Sequence, residues 1–179
     1  MKSCVFITGT NCVGKTTLAK EIMRRFGGIK DTSSDTTYCR DNRATFAGVY
    51  KDGLKYGGVD RLNETKSLAG IVERALQVSD VCFCEGSYFD TFGMNLTNAM
   101  FKAEQHLYVF LYAPCEIIHK RLQERSGKMI TERIISKQHR TARAANKWQE
   151  IGVPVLCFDT SRTNAEEIAE TIIQKLKLQ

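Results

Sequence analysis

No apolar run in this chain is long enough to cross a membrane: the longest, Leu107 to Ala113, falls far short of the ~18 residues a spanning helix needs. Proline is nearly absent, with Pro114 and Pro154 the only two, both at the edges of strand-like runs. No repeat, low-complexity stretch or linker breaks the sequence, so residues 1–179 are expected to form one compact domain. The seven cysteines show neither CxxC nor Cys/His spacing, which argues against a zinc site or a dithiol centre. Cys4, Cys82, Cys84 and Cys157 lie in strand-like runs and read as small core residues of a reducing compartment. The first strand leads into a glycine-rich loop rather than a cleavage site, and a soluble cytoplasmic protein that avoids membranes is the expectation.

That loop is the most specific feature present. Gly9-Thr10-Asn11-Cys12-Val13-Gly14-Lys15-Thr16-Thr17 spells GxxxxGK[ST], after the apolar run Cys4–Thr8 and before LAKEIMRRF with helical spacing. Gly9 and Gly14 let the loop curl until successive backbone N–H groups point at a phosphate that a side chain would displace. Lys15 then reaches the β- and γ-phosphates, Thr16 offers a hydroxyl to Mg²⁺, and the helix start adds its positive dipole end. Binding of a nucleoside triphosphate, read as ATP, follows from strand, loop and helix in register. Cys12, inside the loop, predicts sensitivity to thiol reagents. A 179-residue chain with 42% apolar residues has one core's worth of material, which disfavours large motor or transporter ATPases.

Strand-like runs at Cys4–Thr8, Gly28–Thr32, Val81–Glu85, Leu107–Ala113 and Val153–Phe158 alternate with helical stripes such as Leu18/Ile22/Phe26, Leu68/Ile71/Val72/Ala75/Leu76 and Ile168/Ile172/Leu176. The alternation implies an α/β fold: a parallel sheet in three layers, with ligands collecting at the carboxyl ends of the strands. Glu85, ending the third run, is placed to hold Mg²⁺ through water or to take a proton from an attacking hydroxyl. Arg121 and Arg125 share one helical face before a Ser-Gly break, which suits a mobile segment closing over a triphosphate. A GTPase is disfavoured: Asn146-Lys147-Trp148-Gln149 lacks the Asp of NKxD, and DxxG at Asp90–Gly93 begins five residues past Glu85. A non-catalytic ATP-binding regulator is the competing class, distinguished by the absence of transfer to any acceptor.

These motifs resemble the nucleotide and nucleoside kinase branch of the P-loop fold over nearly all of the chain. The resemblance implies a five-stranded parallel sheet ordered 2-3-1-4-5, an arginine lid at about 121–133 carrying Arg121 and Arg125, and an adenine site near Asp159-Thr160-Ser161, with Ser161 as a contact. No DRY or ERS-type triplet follows Glu85, a departure from kinases that bind free nucleosides. The acceptor half then falls at about 31–62, where Asp31, Asp35, Arg40, Arg43, Tyr56, Asp60 and Arg61 are interleaved with glycines. Charged and aromatic groups among glycines suit a mobile pocket for a ring with hydroxyls. Asp35, in preference to Asp31, is expected to orient or deprotonate the acceptor hydroxyl, with Glu85 as the other candidate.

Asp52-Gly53 and Tyr56-Gly57-Gly58-Val59-Asp60, joined to the later strand-Glu-Gly, are similar to phage-type P-loop kinases of DNA bases, the 5-hydroxymethyluracil DNA kinases. Net charge points the same way, at +6. On the helix after the lid, Arg133, Lys137, Arg140, Arg143 and Lys147 fall within an arc of roughly 120° at about 100° per residue. Such a stripe tracks a phosphate backbone or is a solvated face. Trp148 beside it either stacks on a base or anchors the helix. The expectation is a Mg²⁺-dependent ATP phosphotransferase acting on a nucleotide-like acceptor: hydroxymethylated double-stranded DNA first, a free nucleoside or nucleoside monophosphate second.

Overall fold

The computed structural model describes residues 1–51, 57–62 and 67–178, the side chain of Arg61 excepted. Its elements run β1 (Ser3–Thr8), α1 (Lys15–Arg25), β2 (Ile29–Thr32), β3 (Thr36–Cys39), β4 (Ala44–Ala47), α2 (Leu68–Val78) and β5 (Val81–Glu85), then α3 (Met94–Met100), β6 (Gln105–Tyr112), α4 (Cys115–Ser126), α5 (Glu132–Glu150), β7 (Val155–Asp159) and α6 (Ala165–Lys175). Single 3-10 turns at Val59–Arg61 and Ser87–Asp90 lie against each other at one end.

All seven strands form one sheet in the order β2-β3-β4-β5-β1-β6-β7. Five of them, β4-β5-β1-β6-β7, are parallel, and counted alone they have the 2-3-1-4-5 order. The sheet nevertheless has seven strands rather than five, and its second parallel strand is Ala44–Ala47 rather than Gly28–Thr32. Residues 29–32 instead start an antiparallel meander with β3 and β4. Its turns are built from short polar residues: the Ser33 hydroxyl accepts from the Thr36 N–H at 3.0 Å, and Asn42 takes φ 59° between β3 and β4. Four-residue strands reading TTYC and ATFA carry little period, and β4, buried along its whole length between two strands, shows no polar alternation at all.

The side-chain alternation of β1 divides the core in two. Val5 and Ile7 pack with Leu18 and Ile22 of α1, Phe26 just past its end, Ile118 of α4 and Ile168 of α6. Cys4 and Phe6 face Ile71 of α2, Leu96 of α3 and Trp148 of α5. Trp148 is fully buried, edge-on to Phe6 at 5.8 Å and stacked with Tyr108 at 5.9 Å, so it anchors the helix and is closed to any base. Cys4, Cys82 and Cys84 are buried as expected, whereas Cys157 is exposed, because β7 is the edge strand. The parallel direction gathers Thr8, Ala47, Glu85, Tyr112 and Asp159 at one edge of the sheet, where the site assembles.

Candidate functional site

Between β1 and α1 the chain turns through the phosphate loop. Gly14 supplies a left-handed N-cap at φ 90° with no side chain capping the helix, so the first N–H groups of α1 are offered to an anion. Lys15 Nζ donates to the Thr10 carbonyl at 2.9 Å across the loop. Burial lowers its pKa, opposed by the charges of Glu85 and Asp60. The Thr10 hydroxyl donates to the Ile134 carbonyl at 3.0 Å, tying the loop to the start of α5.

Glu85 ends β5 beside Lys15 and is 1% exposed. Burial raises its pKa to about 6, while Lys15 and a hydrogen bond from Tyr50 pull it down. The Tyr50 hydroxyl, itself buried, donates to Glu85 Oε2 at 2.7 Å. Thr16 also hydrogen-bonds this carboxylate. Among the described residues no group of three or more His, Cys, Asp or Glu could cage a metal. One carboxylate beside a hydroxyl is still a donor set that fits Mg²⁺, which keeps its waters and takes the rest of its oxygens from phosphates.

Above the loop lies a cavity of about 870 Å³ lined by Gly14 to Leu18, Glu85, Asp60, Arg121 and Arg125. Arg121, on α4, donates to Thr160 Oγ1 at 2.9 Å, to the Thr160 carbonyl at 2.7 Å and to the Cys12 carbonyl at 3.3 Å. It thereby bridges the phosphate loop and the end of β7, with Arg125 on the same wall. Thr160, Thr163 and Asn164 line the cavity, while Ser161 turns back to Asp159, its hydroxyl at 2.6 Å from Oδ1. Two hydrogen bonds from Ser161 lower the Asp159 pKa.

The other side of Glu85 is shaped by glycine. Gly58 has φ 83°, and a Cβ there would stand 2.2 Å from the Glu85 carbonyl oxygen and 2.6 Å from Oε2. Only a residue without one lets the segment from 57 to 62 cross the carboxylate so closely. Asp60 follows, accepting from the Ser87 N–H at 2.9 Å and from its hydroxyl at 2.9 Å. Beyond lies a second cavity, of about 1040 Å³, and Asp60 and Ser87 line both. Its far wall carries Asp90, Lys137 and Arg140. Asp90, 6% exposed, accepts from Arg140 Nε at 3.0 Å and lies 4.0 Å from Lys137 Nζ.

The residues read from 31–62 as acceptor contacts separate. The Asp35 carboxylate pairs with Arg74 at 3.1 Å and lines neither cavity. Asp31 accepts from the Thr32 N–H at 2.7 Å, at the outer edge of the sheet. Arg40 donates to the Ile29 carbonyl at 3.3 Å, and Arg43 to Asp41 and the Leu178 carbonyl, both at the amino end of β4, opposite the edge that holds Glu85. Asp60 alone of this set lines the cavities; Tyr56 and the Arg61 side chain lie outside the described residues. The basic stripe also divides: Lys137 and Arg140 turn to the second cavity, Lys147 pairs with Glu150 at 2.9 Å, and Arg133 and Arg143 are exposed. Thr160, within the expected adenine segment, lines the first cavity where Ser161 does not, and Tyr50 and Asp90 join the site without having been expected there. A strand-ending Glu that needs a partner was the only signal for Tyr50, and an Asp three residues past Ser87 the only one for Asp90.

Phosphate loop, parallel order and cavity-lining arginines together define a P-loop α/β fold of kinase-like architecture. No protein-family model matches the chain, and no curated protein matches it either. Among solved structures it is similar to the YorR protein of Bacillus subtilis in complex with phosphorylated GDP, at 18% identity and TM-score 0.61, covering 98% of this chain and 96% of that one. A sugar kinase from Janibacter sp. matches at 17% identity and TM-score 0.56, covering 99% and 95%. A deoxyadenosine kinase from M. mycoides, with products dCMP and dCDP bound, matches at 14% identity and TM-score 0.53 over 100% of both chains. At such identities the likeness is one of fold.

Proposed function

We propose that this chain is a Mg²⁺-dependent ATP phosphotransferase acting on a hydroxyl of a nucleotide-like acceptor. The observation that carries the reading is that two cavities, one on the phosphate loop and one against α5, meet at Asp60 and Ser87. A donor triphosphate and an acceptor held in line across that junction need little more than positioning and charge neutralisation. Lys15 and the loop N–H groups hold the β- and γ-phosphates; Arg121 and Arg125 cover the triphosphate as the segment 121–133 closes. Thr16 and Glu85 would hold Mg²⁺, which supplies charge neutralisation on the phosphate oxygens when bound. Asp60, held by hydrogen bonds from the Ser87 N–H and hydroxyl at the junction, is the acceptor-orienting carboxylate and takes the proton of the attacking hydroxyl, a role we assign to it over Asp35, which pairs with Arg74 and lines neither cavity.

Within this class, the hydroxymethyl group of 5-hydroxymethyluracil in DNA is the acceptor we favour, supported by the exposed Arg133 and Arg143 on the helix that borders the second cavity. The test is transfer of labelled γ-phosphate from ATP to 5-hydroxymethyluracil duplex, ordinary duplex, free nucleosides and nucleoside monophosphates in parallel. Label on the modified duplex alone is the expected result; label on a free nucleoside or monophosphate alone moves the reaction to small-molecule metabolism; release of inorganic phosphate with every acceptor contradicts the assignment to transfer.

A further inference from the structure

We propose that the second cavity is an anion site, in which Lys137 and Arg140 take a phosphate group carried by the acceptor. The inference rests on the phosphotransfer reading above and names its substrate class: a nucleotide or polynucleotide rather than a neutral nucleoside or sugar. Lys137 and Arg140 stand three residues apart on α5, so one helical face turns both toward the cavity. The Lys137 side chain is 19% exposed and Asp90's is 8% exposed. This one carboxylate serves both cations: Arg140 Nε and Nη2 share its Oδ2, and Lys137 Nζ is held at only 4.0 Å from the same atom. Arg140 Nη1 has no partner among the described residues.

Arg140 is half exposed and already paired with Asp90, and Asp60 lines the same cavity, but Lys137 is mostly buried and stands 4.0 Å from the Asp90 carboxylate, and a cation short of a full partner in such a place is costly. Burial is the largest influence lowering the Lys137 pKa, and Arg140 and Arg133 add to it, while Asp90 and Asp60 oppose. An incoming phosphate removes that cost by charge-assisted hydrogen bonds to both groups. The remaining wall suits the rest of a nucleotide: Leu68 and Leu96 offer apolar surface for a ring, and Asn95 and Asn98 offer amides for its polar edge.

The phosphate can be the 5′-monophosphate of a free nucleotide or the diester of a polynucleotide, and the experiment separates them. With the phosphate loop saturated by Mg²⁺ and the β,γ-imido analogue of ATP, binding is measured for the four deoxynucleosides, their 5′-monophosphates and a duplex oligonucleotide. Wild type is compared with Lys137→Met, Arg140→Gln and the charge-preserving Lys137→Arg, and analogue affinity and thermal melting are recorded in each. The expected result is a preference of about tenfold or more for a phosphate-bearing probe over its nucleoside, reduced at least about tenfold in Lys137→Met and Arg140→Gln and retained in Lys137→Arg. A preference confined to monophosphates identifies a free nucleotide; one confined to the duplex, with a salt slope that flattens in the variants, identifies a polynucleotide. Equal binding of nucleosides and phosphates by the wild type, or a preference untouched in both charge-removing variants, overturns the proposal. Failure of the wild type to bind the ATP analogue counts against phosphotransfer instead, and the phosphate comparison still reads the anion site.

Discussion

The two cavities at the carboxyl edge of the sheet are made in different ways. The first is organised around one contiguous segment, Asn11 to Leu18, with Arg121 and Arg125 from α4 among the residues that close it. The second is gathered from distant places, with Asp60, Ser87, Asp90, Asn95, Lys137 and Arg140 drawn from two 3-10 turns and two helices. The first is a backbone device that offers the free N–H groups of a loop and a helix start to an anion, and a short motif suffices to encode it. The second consists of side chains on a scaffold, so its chemistry is free to vary while the fold stays fixed. Likeness at 14–18% identity is a likeness of fold, and it leaves the side chains of the second cavity unspecified.

The contrast can be broken from either side. Lys15→Ala has the largest expected effect, a loss of about 10²–10³-fold in turnover with every acceptor, read by steady-state assay, with circular dichroism unchanged because the buried Lys15 ammonium is a cost to the fold. Retained turnover would remove the phosphate loop from the chemistry. Glu85→Gln should lower kcat about 10–100-fold, as loss of a water-mediated metal partner does, with a smaller change in ATP affinity; equal losses in both would make Glu85 a holder of bound nucleotide only. Gly58→Ala should cost about 1–3 kcal/mol in urea unfolding, since its Cβ overlaps the Glu85 carbonyl and φ is 83°. It should also slow transfer by displacing Asp60, a combination that an ordinary surface glycine would not give. Asp35→Asn should be the mildest, removing a surface ion pair with Arg74 worth less than about 1 kcal/mol and leaving the pH profile of transfer in place. A collapse of turnover there would return the acceptor base to the hairpin.

Where sequence and structure part company, the physics is local. The parallel core is legible because its strands are long apolar runs between helical stripes, and four of the five are anticipated within a few residues. Ala44–Ala47 escapes because four wholly buried residues, Ala-Thr-Phe-Ala, are too short a run to show a period, and its polar neighbours look like a pocket when they are the turns of a meander. That one misplacement moves Asp31, Asp35, Arg40 and Arg43 off the site, since a strand at 44–47 puts Arg43 at the opposite edge from Glu85. The glycines at 48, 57 and 58 read as looseness, yet they are places of close approach: a Cβ at Gly48 would fall 2.2 Å from the Gly58 carbonyl, and one at Gly57 would strike the Tyr50 ring. A helical wheel locates the cations of α5 but cannot say that Asp90, from another turn, divides them.

Because Asp60 stands where the two cavities meet, the most direct measurement is the single-turnover rate of γ-phosphate transfer in Asp60→Asn, with ATP affinity determined on the same protein. If Asp60 takes the acceptor proton, the rate falls by about 10²–10⁴-fold with ATP binding little changed, as for loss of a positioned acid–base group. A wild-type rate, or a loss traced entirely to weaker ATP binding, would contradict it.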